Sequence, residues 1–513
     1  MSDALHSRSS LTPDKCAAAM ADGSAAISYR QLDERADRMA ALLQHLGLTG
    51  GDTIALLHDN ELSVLEWWWG ARRAGLYYVP LGTKLTPTEL AYIVRDCGAS
   101  LVLASGALAA LAGNLQTLIP GVPMIVSGPG MDRAASLDDR LAALDHPTPF
   151  PAAVVGRELI YSSGTTGKPK GIRRALAPAD QGARLPELEI QMRKVFQIDA
   201  DTVYLSVSPL YHAVGRFLNR VIESGGSVVI APKFDPELAL AAIARHRITH
   251  SQWVPTMFSR LLALPRAVRD KYDLSSHRVA LHAAAPCPIG IKREMIEWWG
   301  PIVDEYYGGT ENAGVTFIAA REWLDHPGSV GRSITGAIHI LDEDGSEREL
   351  APGEIGLIYF EGGLPFAYLN RAPGDAPTHS TRGYATYGDL GHVDEAGYLF
   401  VSDRRSDLII SGGVNIYPKE IELVLEVHPA VAEAAVIGVP DTEFGQRVKA
   451  VIRLADGQTP SAHLVSELER HCRAHLSGIK CPRGIDFVDD FPRNESGKLL
   501  KRELRDRYGA ASP

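Results

Sequence analysis

Short apolar runs alternate with amphipathic helical stretches along most of this chain, which restricts it to a layered α/β architecture with largely parallel strands. Residues 53–58, 100–105, 202–207 and 227–231 read as buried strands, and residues 29–46 and 236–246 as helices. The Gly/Pro-rich stretch 345–375 reads as a smaller β region with hairpins. The pattern breaks at Asp403-Arg-Arg-Ser-Asp407. Beyond it follow a helix at 417–427, strands at 433–439 and 447–453, a helix at 464–476 and a strand at 485–488. A chain of 513 residues is too long for one core. The expected division is an N-terminal domain over 1–403, a hinge at 404–407 and a C-terminal domain over 408–513. The fold class is therefore α/β: a large N-terminal α/β domain of several subdomains plus a small, mobile α+β C-terminal domain.

Charge narrows the partners. Lys and Arg number 52 against 62 Asp and Glu, a net charge of −10, which argues against nucleic acid or an anionic membrane. A phosphate ligand must then be held by local devices. No apolar run reaches about 18 residues, so no transmembrane segment is expected, and the N-terminus lacks the apolar core of a signal peptide. The five cysteines are scattered without Cys-x-x-Cys spacing, as suits a reduced, cytoplasmic setting. A zinc site at His471, Cys472, His475 and Cys481 is conceivable, but the helical pattern there explains these residues more simply. Trp67, Trp68 and Trp69 lie in an expected helix from 61 to 74 whose Leu62, Leu65 and Trp69 share a face, which favours burial over a membrane-dipping patch.

Tyr161-Ser-Ser-Gly-Thr-Thr-Gly-Lys-Pro-Lys-Gly171 follows an apolar strand. Small residues let a backbone wrap a phosphate with its N–H groups pointing inward. Ser163, Thr165 and Thr166 add hydroxyl donors, and Lys170 adds charge. Only two residues separate Gly164 from Gly167, so this is not a P-loop. The stretch resembles the signature loop of the adenylate-forming superfamily, which contains acyl-CoA synthetases, adenylation domains and luciferases. Four further stretches match that superfamily in order: Tyr307-Gly-Gly-Thr-Glu311, Tyr387-Gly-Asp-Leu-Gly391 with Tyr in place of the usual Thr, the segment Asp403–Asp407 with Ser411–Glu422, and Asn494-Glu-Ser-Gly-Lys498. The expected subtype is a bacterial fatty-acid or aryl-acid CoA ligase.

The resemblance implies ATP, Mg2+ and coenzyme A as the small molecules handled, and a chemistry in which a carboxylate displaces pyrophosphate from the α-phosphorus. Joining two anions demands positive charge and positioning. Ser162, Ser163, Gly164, Thr165, Thr166, Gly167 and Lys170 would cradle phosphates. Glu311 would ligate Mg2+ with Thr166 as second donor, and Thr310 would donate to a phosphate oxygen. Asp389 and Arg404 would hold the ribose. Adenine would lie between Ala284-Ala285-Pro286 and Tyr306-Tyr307-Gly308. Lys498 would bridge carboxylate and α-phosphate during adenylation. A rotation of the C-terminal domain would then bring Gly412 and Gly413 to line the thiol's path, with the hinge on Ser406, where relatives have Asp or Lys. Lys480 and Arg483 are surface candidates for CoA phosphates.

The acyl pocket is expected from His212, Val214, Phe217, Val254, Met257, His282, Ala283, Gly309 and Gly314, an apolar and roomy wall. His212 would gate it and orient the carboxylate. No Asp stands near His212 to pair with an α-amine, so an amino acid is disfavoured, because a buried ammonium without a partner is heavily penalised. The expected substrate is a hydrophobic fatty, arylpropenoic or sterol-like acid. Arg216 is the one charge in these segments and is expected to face water. Alternatives are loading of a carrier protein, a luciferase-like oxygenase, and a non-catalytic relative; the last would be expected to lack Lys498 or Glu311. A homodimer is compatible with all of these.

Overall fold

The computed structural model describes residues 3–128, 136–144, 149, 151–162, 169–180, 185–212, 215–343, 346–370, 379–404, 407–411, 414–441, 444–493 and 499–509. Two largely parallel sheets dominate the N-terminal part. One has nine strands, with its parallel centre formed by Val303–Gly308, Val279–His282, His250–Trp253, Val203–Ser206, Ser227–Ile230 and Cys16–Met20 in that spatial order. The other is five-stranded and wholly parallel, in the order Met124–Val126, Leu101–Ala104, Thr53–Leu57, Tyr77–Leu81 and Arg157–Glu158. The expected strands and helices at these places match within one or two residues, because runs buried on both faces leave no other reading.

Helix starts follow local chemistry. Ser28 and Gln31 form a capping box for Tyr29–His45, and Asp235 caps Pro236–His246, whose proline at the first turn needs no N–H partner. The helix Ser63–Arg73 carries the three tryptophans, all buried. Successive helical residues point about 100° apart, so this helix is enclosed on more than one face. Trp68 stacks on Tyr78 at 6.2 Å. Gly70 lets the helix lie directly on Met39, since a Cβ there would come within 2.3 Å of the Met39 Cγ.

The β region extends further than its glycines and prolines imply. Ile338–Leu341, Gly356–Phe360, Ala385–Val393 and Leu399–Arg404 form a four-stranded antiparallel sheet. Gly and Pro mark its turns, and the strands lie outside them. Ala367–Tyr368 instead joins Lys170–Arg173 and Ile160–Ser162 in a three-stranded sheet.

From Ile409 onward the chain builds another sheet. Val431–Asp441 and Gly445–Leu454 pair antiparallel, Ile485–Val488 adds in parallel, and a hairpin of Ile409–Ser411 with Val414–Ile416 completes it. Two apolar clusters on this sheet draw only on residues beyond 408, among them Ile421, Leu425, Val436, Ile452, Leu468 and Leu504. The hairpin and a final helix, Lys501–Gly509, were not foreseen from the sequence. Cys472 is a core residue of this sheet, and the His471 Nε2 lies 2.9 Å from the Val424 carbonyl. All five cysteines are unpaired. Among the described residues no helix is long and apolar enough to cross a membrane.

Candidate active site

Three separate elements bring polar groups to one place. The three-stranded sheet carries Lys170 and Tyr368 on adjacent strands, with the Lys170 ammonium 5.5 Å from the centre of the Tyr368 ring. The Tyr368 hydroxyl donates to Glu311 Oε1 at 2.9 Å. Glu311 lies in the turn after the strand Val303–Gly308, a turn closed by Asn312 N–H to the Gly309 carbonyl, with Asn312 in the left-handed region at φ 53°. On the strand itself Tyr307 donates to Asp389 Oδ2 at 2.6 Å. Asp389 is buried on the strand Ala385–Val393, opposite Arg404 in the cross-strand register.

Tyr387, the departure from the usual Thr, has a clear place. Its hydroxyl donates to the Gly314 carbonyl at 2.7 Å and accepts from the Gly314 N–H at 3.2 Å. A Cβ on Gly309 would stand 2.4 Å from the Tyr387 ring, and one on Gly314 would stand 2.3 Å from Phe360. Both glycines therefore serve close packing against rings, where the sequence reading assigned them to a roomy acyl wall.

Strand periodicity separates residues grouped together above. Tyr306 turns away from Tyr307 and packs among Phe196, Phe217 and Phe317, with its hydroxyl accepting from Gln252 Nε2 at 2.5 Å. Phe217 stacks on Tyr204 and Phe196 in the same aromatic group. His282, fully buried, faces the other way: its Nε2 is 3.4 Å from Glu305, which receives the Lys292 ammonium at 2.6 Å. Burial, then Lys292, keeps that imidazole far below its ordinary pKa and therefore neutral. Val254 and Met257 belong to the same apolar cluster as Trp253 and Phe258, and Ala283 is buried beside His282. The structure does not bring His282 together with Phe217.

Ala284 is exposed at φ 74°, a left-handed backbone that costs an alanine roughly 1–2 kcal/mol. Ala285 is partly exposed and Pro286 exposed beyond it. Asn60 fixes the segment before His212, donating to the Ser208 and Ala231 carbonyls and accepting from the Leu210 N–H. The Tyr211 ring meets His212 edge-on at 4.7 Å. Burial pushes the His212 imidazole down to about 4, so it is neutral at neutral pH, and its buried Nε2 has no hydrogen-bond partner among the described residues. His212 shares a small cavity with Trp68, Tyr78, Glu158, Arg216 and Asn219.

Arg216 does not face water as expected. Its Nε donates to Glu158 Oε1 at 2.9 Å and its Nη1 to the Thr310 carbonyl at 3.0 Å. Arg174, buried, donates from Nη2 to the same Thr310 carbonyl at 3.0 Å and to the Glu311 carbonyl at 2.9 Å. Burial alone would raise the Glu158 carboxyl, but the guanidiniums of Arg216, Arg157 and Arg174 outweigh it and hold it at about 2. Burial and then Arg216 push Arg174 below the ordinary guanidinium value. Sequence reasoning missed Glu158, Arg174 and Tyr368. A charge inside the apolar strand before the signature loop, and an arginine pair directly after it, were the available signals.

Lys480 is paired with both oxygens of Glu420, and the Arg483 guanidinium lies over Phe444. The isolated bridge between Arg493 and Leu499 flanks the lysine motif. Ser163, Gly164, Thr165, Thr166, Gly167, Val214, Ser406, Gly412, Gly413 and Lys498 lie outside the described residues, as do the side chains of Ser162 and Arg404.

The sequence pattern of the AMP-binding enzyme family matches residues 5–366, and that of the AMP-binding enzyme C-terminal domain matches 420–498, so the chain belongs to that family. It is 34% identical over 506 residues to a feruloyl-CoA synthase of Amycolatopsis sp, covering 96% of each chain. It is 30% identical to a long-chain-fatty-acid–CoA ligase of Mycobacterium tuberculosis over 95% of this chain and 94% of that one. Its fold superposes with a TM-score of 0.82, at 29% identity, on the o-succinylbenzoate CoA synthetase of Bacillus subtilis in complex with its acyl-adenylate intermediate, covering 99% of this chain and 98% of that one.

Proposed function

We propose that the protein is an ATP-dependent acid–CoA ligase, which forms an acyl-adenylate with release of pyrophosphate and then passes the acyl group to the CoA thiol with release of AMP. The observation that carries this reading is the convergence of Lys170, Tyr368, Glu311, Tyr307 and Asp389 through direct contacts from three elements. Asp389 is suited to accept from ribose hydroxyls, and Lys170 to offset phosphate charge. The Glu311 carboxylate is a hard oxygen donor on a turn held from behind, which fits Mg2+. Mg2+ bound there together with phosphate oxygens would offset the charge of the triphosphate. His212, neutral and with an Nε2 that no described residue engages, is suited to orient the acid's carboxylate or to accept the thiol proton.

Lys498 supplies a compact charge between two anions in the first step, and the segment 404–407 is the hinge that exchanges it for Gly412 and Gly413 in the second. The acid is one with a bulky apolar body, aromatic or aliphatic, as the names of the two ligases above also indicate for those proteins. The setting is a reduced compartment such as the cytoplasm. Pyrophosphate release measured over a panel of aryl, fatty and short acids, with and without CoA, tests the reading. Turnover with CoA and a hydrophobic acid is expected. No pyrophosphate with any acid rejects it, a highest kcat/KM for acetate or an amino acid rejects the substrate class, and adenylate formation without CoA acylation points to a carrier thiol.

A further inference from the structure

Thr310 and Glu311 are held by their carbonyls, and from one side. Arg174 and Arg216 both donate to the Thr310 carbonyl, and Arg174 also donates to that of Glu311. Arg216 reaches Asn312 Oδ1 as well, at 3.4 Å, so three consecutive residues of the turn are tied to guanidiniums. Two guanidiniums meeting on one oxygen repel each other, and an anion is needed to keep them there. Glu158 is that anion, placed on the edge strand of the five-stranded sheet and bonded to Arg216.

The remaining anchors are rigid. The Arg174 carbonyl accepts from the Tyr77 hydroxyl at 2.7 Å, which fixes its backbone to the five-stranded sheet. Arg216 sits in the first turn of the helix Gly215–Ser224, four residues after His212. Gly215 permits the close approach of that helix to Trp68, since a Cβ would come within 2.7 Å of the indole. The network thus joins three things: the sheet edge, the helix that follows His212, and the turn bearing Glu311.

We propose that Glu158, Arg174 and Arg216 are positioning residues for adenylation, holding the Thr310–Glu311 turn so that the Glu311 carboxylate meets the metal–nucleotide complex in a fixed place. This rests on the ligase reading above. None of the three needs to touch substrate. A bare carbonyl-rich turn would satisfy its oxygens with water and sample several arrangements. A forked, always-charged donor restricts it more than a lysine can, because one guanidinium reaches a carboxylate and a carbonyl together.

The test is titration calorimetry of the full chain with ATP, once with Mg2+ and once with EDTA, for wild type, Glu158→Gln and Arg216→Lys. Both variants are expected to weaken MgATP binding roughly tenfold and metal-free ATP less than about twofold, an effect a general structural loss would not divide in this way. Both are expected to convert prepared acyl-adenylate and CoA at near wild-type rate. Should Glu158→Gln fail to fold, Arg216→Lys keeps the charge and the stem and carries the test alone. Equal weakening of the two nucleotide forms, or no weakening, overturns the proposal. The titrations need neither acid nor thiol, so they succeed or fail apart from the ligase reading, which fails if wild type releases no pyrophosphate.

Discussion

Single residues decide whether the site works as two half-reactions. Lys498→Ala is expected to slow adenylation by roughly 10²–10³-fold, the usual loss for one transition-state donor. Supplied with prepared acyl-adenylate and CoA, the same variant should form thioester at near wild-type rate, because the lysine has no task in that step. Gly412→Leu should do the reverse. Equal slowing of both steps by both variants would reject the exchange of segments. Asp389 is buried against the Tyr307 hydroxyl, so Asp389→Ala removes a charged acceptor and should weaken ATP binding by about 1.5–3 kcal/mol. Ala284 tests strain instead of charge. At φ 74° it has the backbone of a glycine, and Ala284→Gly should relieve roughly 1–2 kcal/mol while loosening the unfolded chain by about 0.4–1 kcal/mol. A net gain of between zero and about 1.6 kcal/mol in urea unfolding is expected; a clear loss would mean the alanine methyl packs to more effect than its backbone strains.

At the level of elements, much was legible in the sequence. The strands Thr53–Leu57, Leu101–Ala104, Val203–Ser206 and Ser227–Ile230 are apolar but for a Thr or Ser at one end of three of them, and the cap at Ser28 and the proline at 236 announce their helices. The family resemblance implied that Asp389, Tyr307 and Glu311 serve one site, and the Tyr307 hydroxyl does meet Asp389. What could not be read was which face of a strand a side chain takes. Tyr306 and Tyr307 are neighbours in the chain and point apart, and His282 turns from Phe217 toward Glu305. Such facts depend on which elements cover each side of the sheet, and no local pattern encodes that. The Arg216 to Glu158 pair spans 58 positions and was invisible for the same reason. The tryptophan helix gives an element-scale prediction. Trp69→Ala empties a fully buried site and should cost about 3–5 kcal/mol. Trp69→Phe should cost well under half as much, because the indole N–H it removes is buried without a hydrogen-bond partner among the described residues, and its loss offsets part of the lost contact. Equal costs in urea unfolding would show that the indole N–H has an acceptor after all.

For the whole molecule, buried ionisable groups set an acid limit. Burial lowers His58, His212 and His250 to about 4 and His277 to about 3, and it lowers His282 strongly as well. An unfolded chain takes up these protons near pH 6.5, whereas the folded chain refuses them until about pH 4. Between those values the unfolded state binds more protons, so stability falls as pH falls, and above 6.5 the contribution is complete. Buried carboxyls act in the opposite sense: burial raises Glu66 to about 7 and Asp304 to about 6, and it raises Asp37, Glu61, Glu305 and Glu426 as well, so each tends to hold a proton when folded that the unfolded chain releases. Glu158, at about 2, stays charged throughout this window. With the histidines in control, stability should drop as pH falls from about 7 toward 5. The five histidines precede residue 305, and so do six of the seven tryptophans, with Trp323 the exception; no tryptophan lies beyond the hinge segment. Tryptophan fluorescence then reports on the N-terminal part alone. On acidification its transition should come first, with the strands Val431–Asp441 and Gly445–Leu454 still protected from hydrogen exchange. A urea midpoint that holds steady from pH 6.5 to 5, or exchange protection lost in those two strands first, would mean that the buried histidines do not govern acid unfolding.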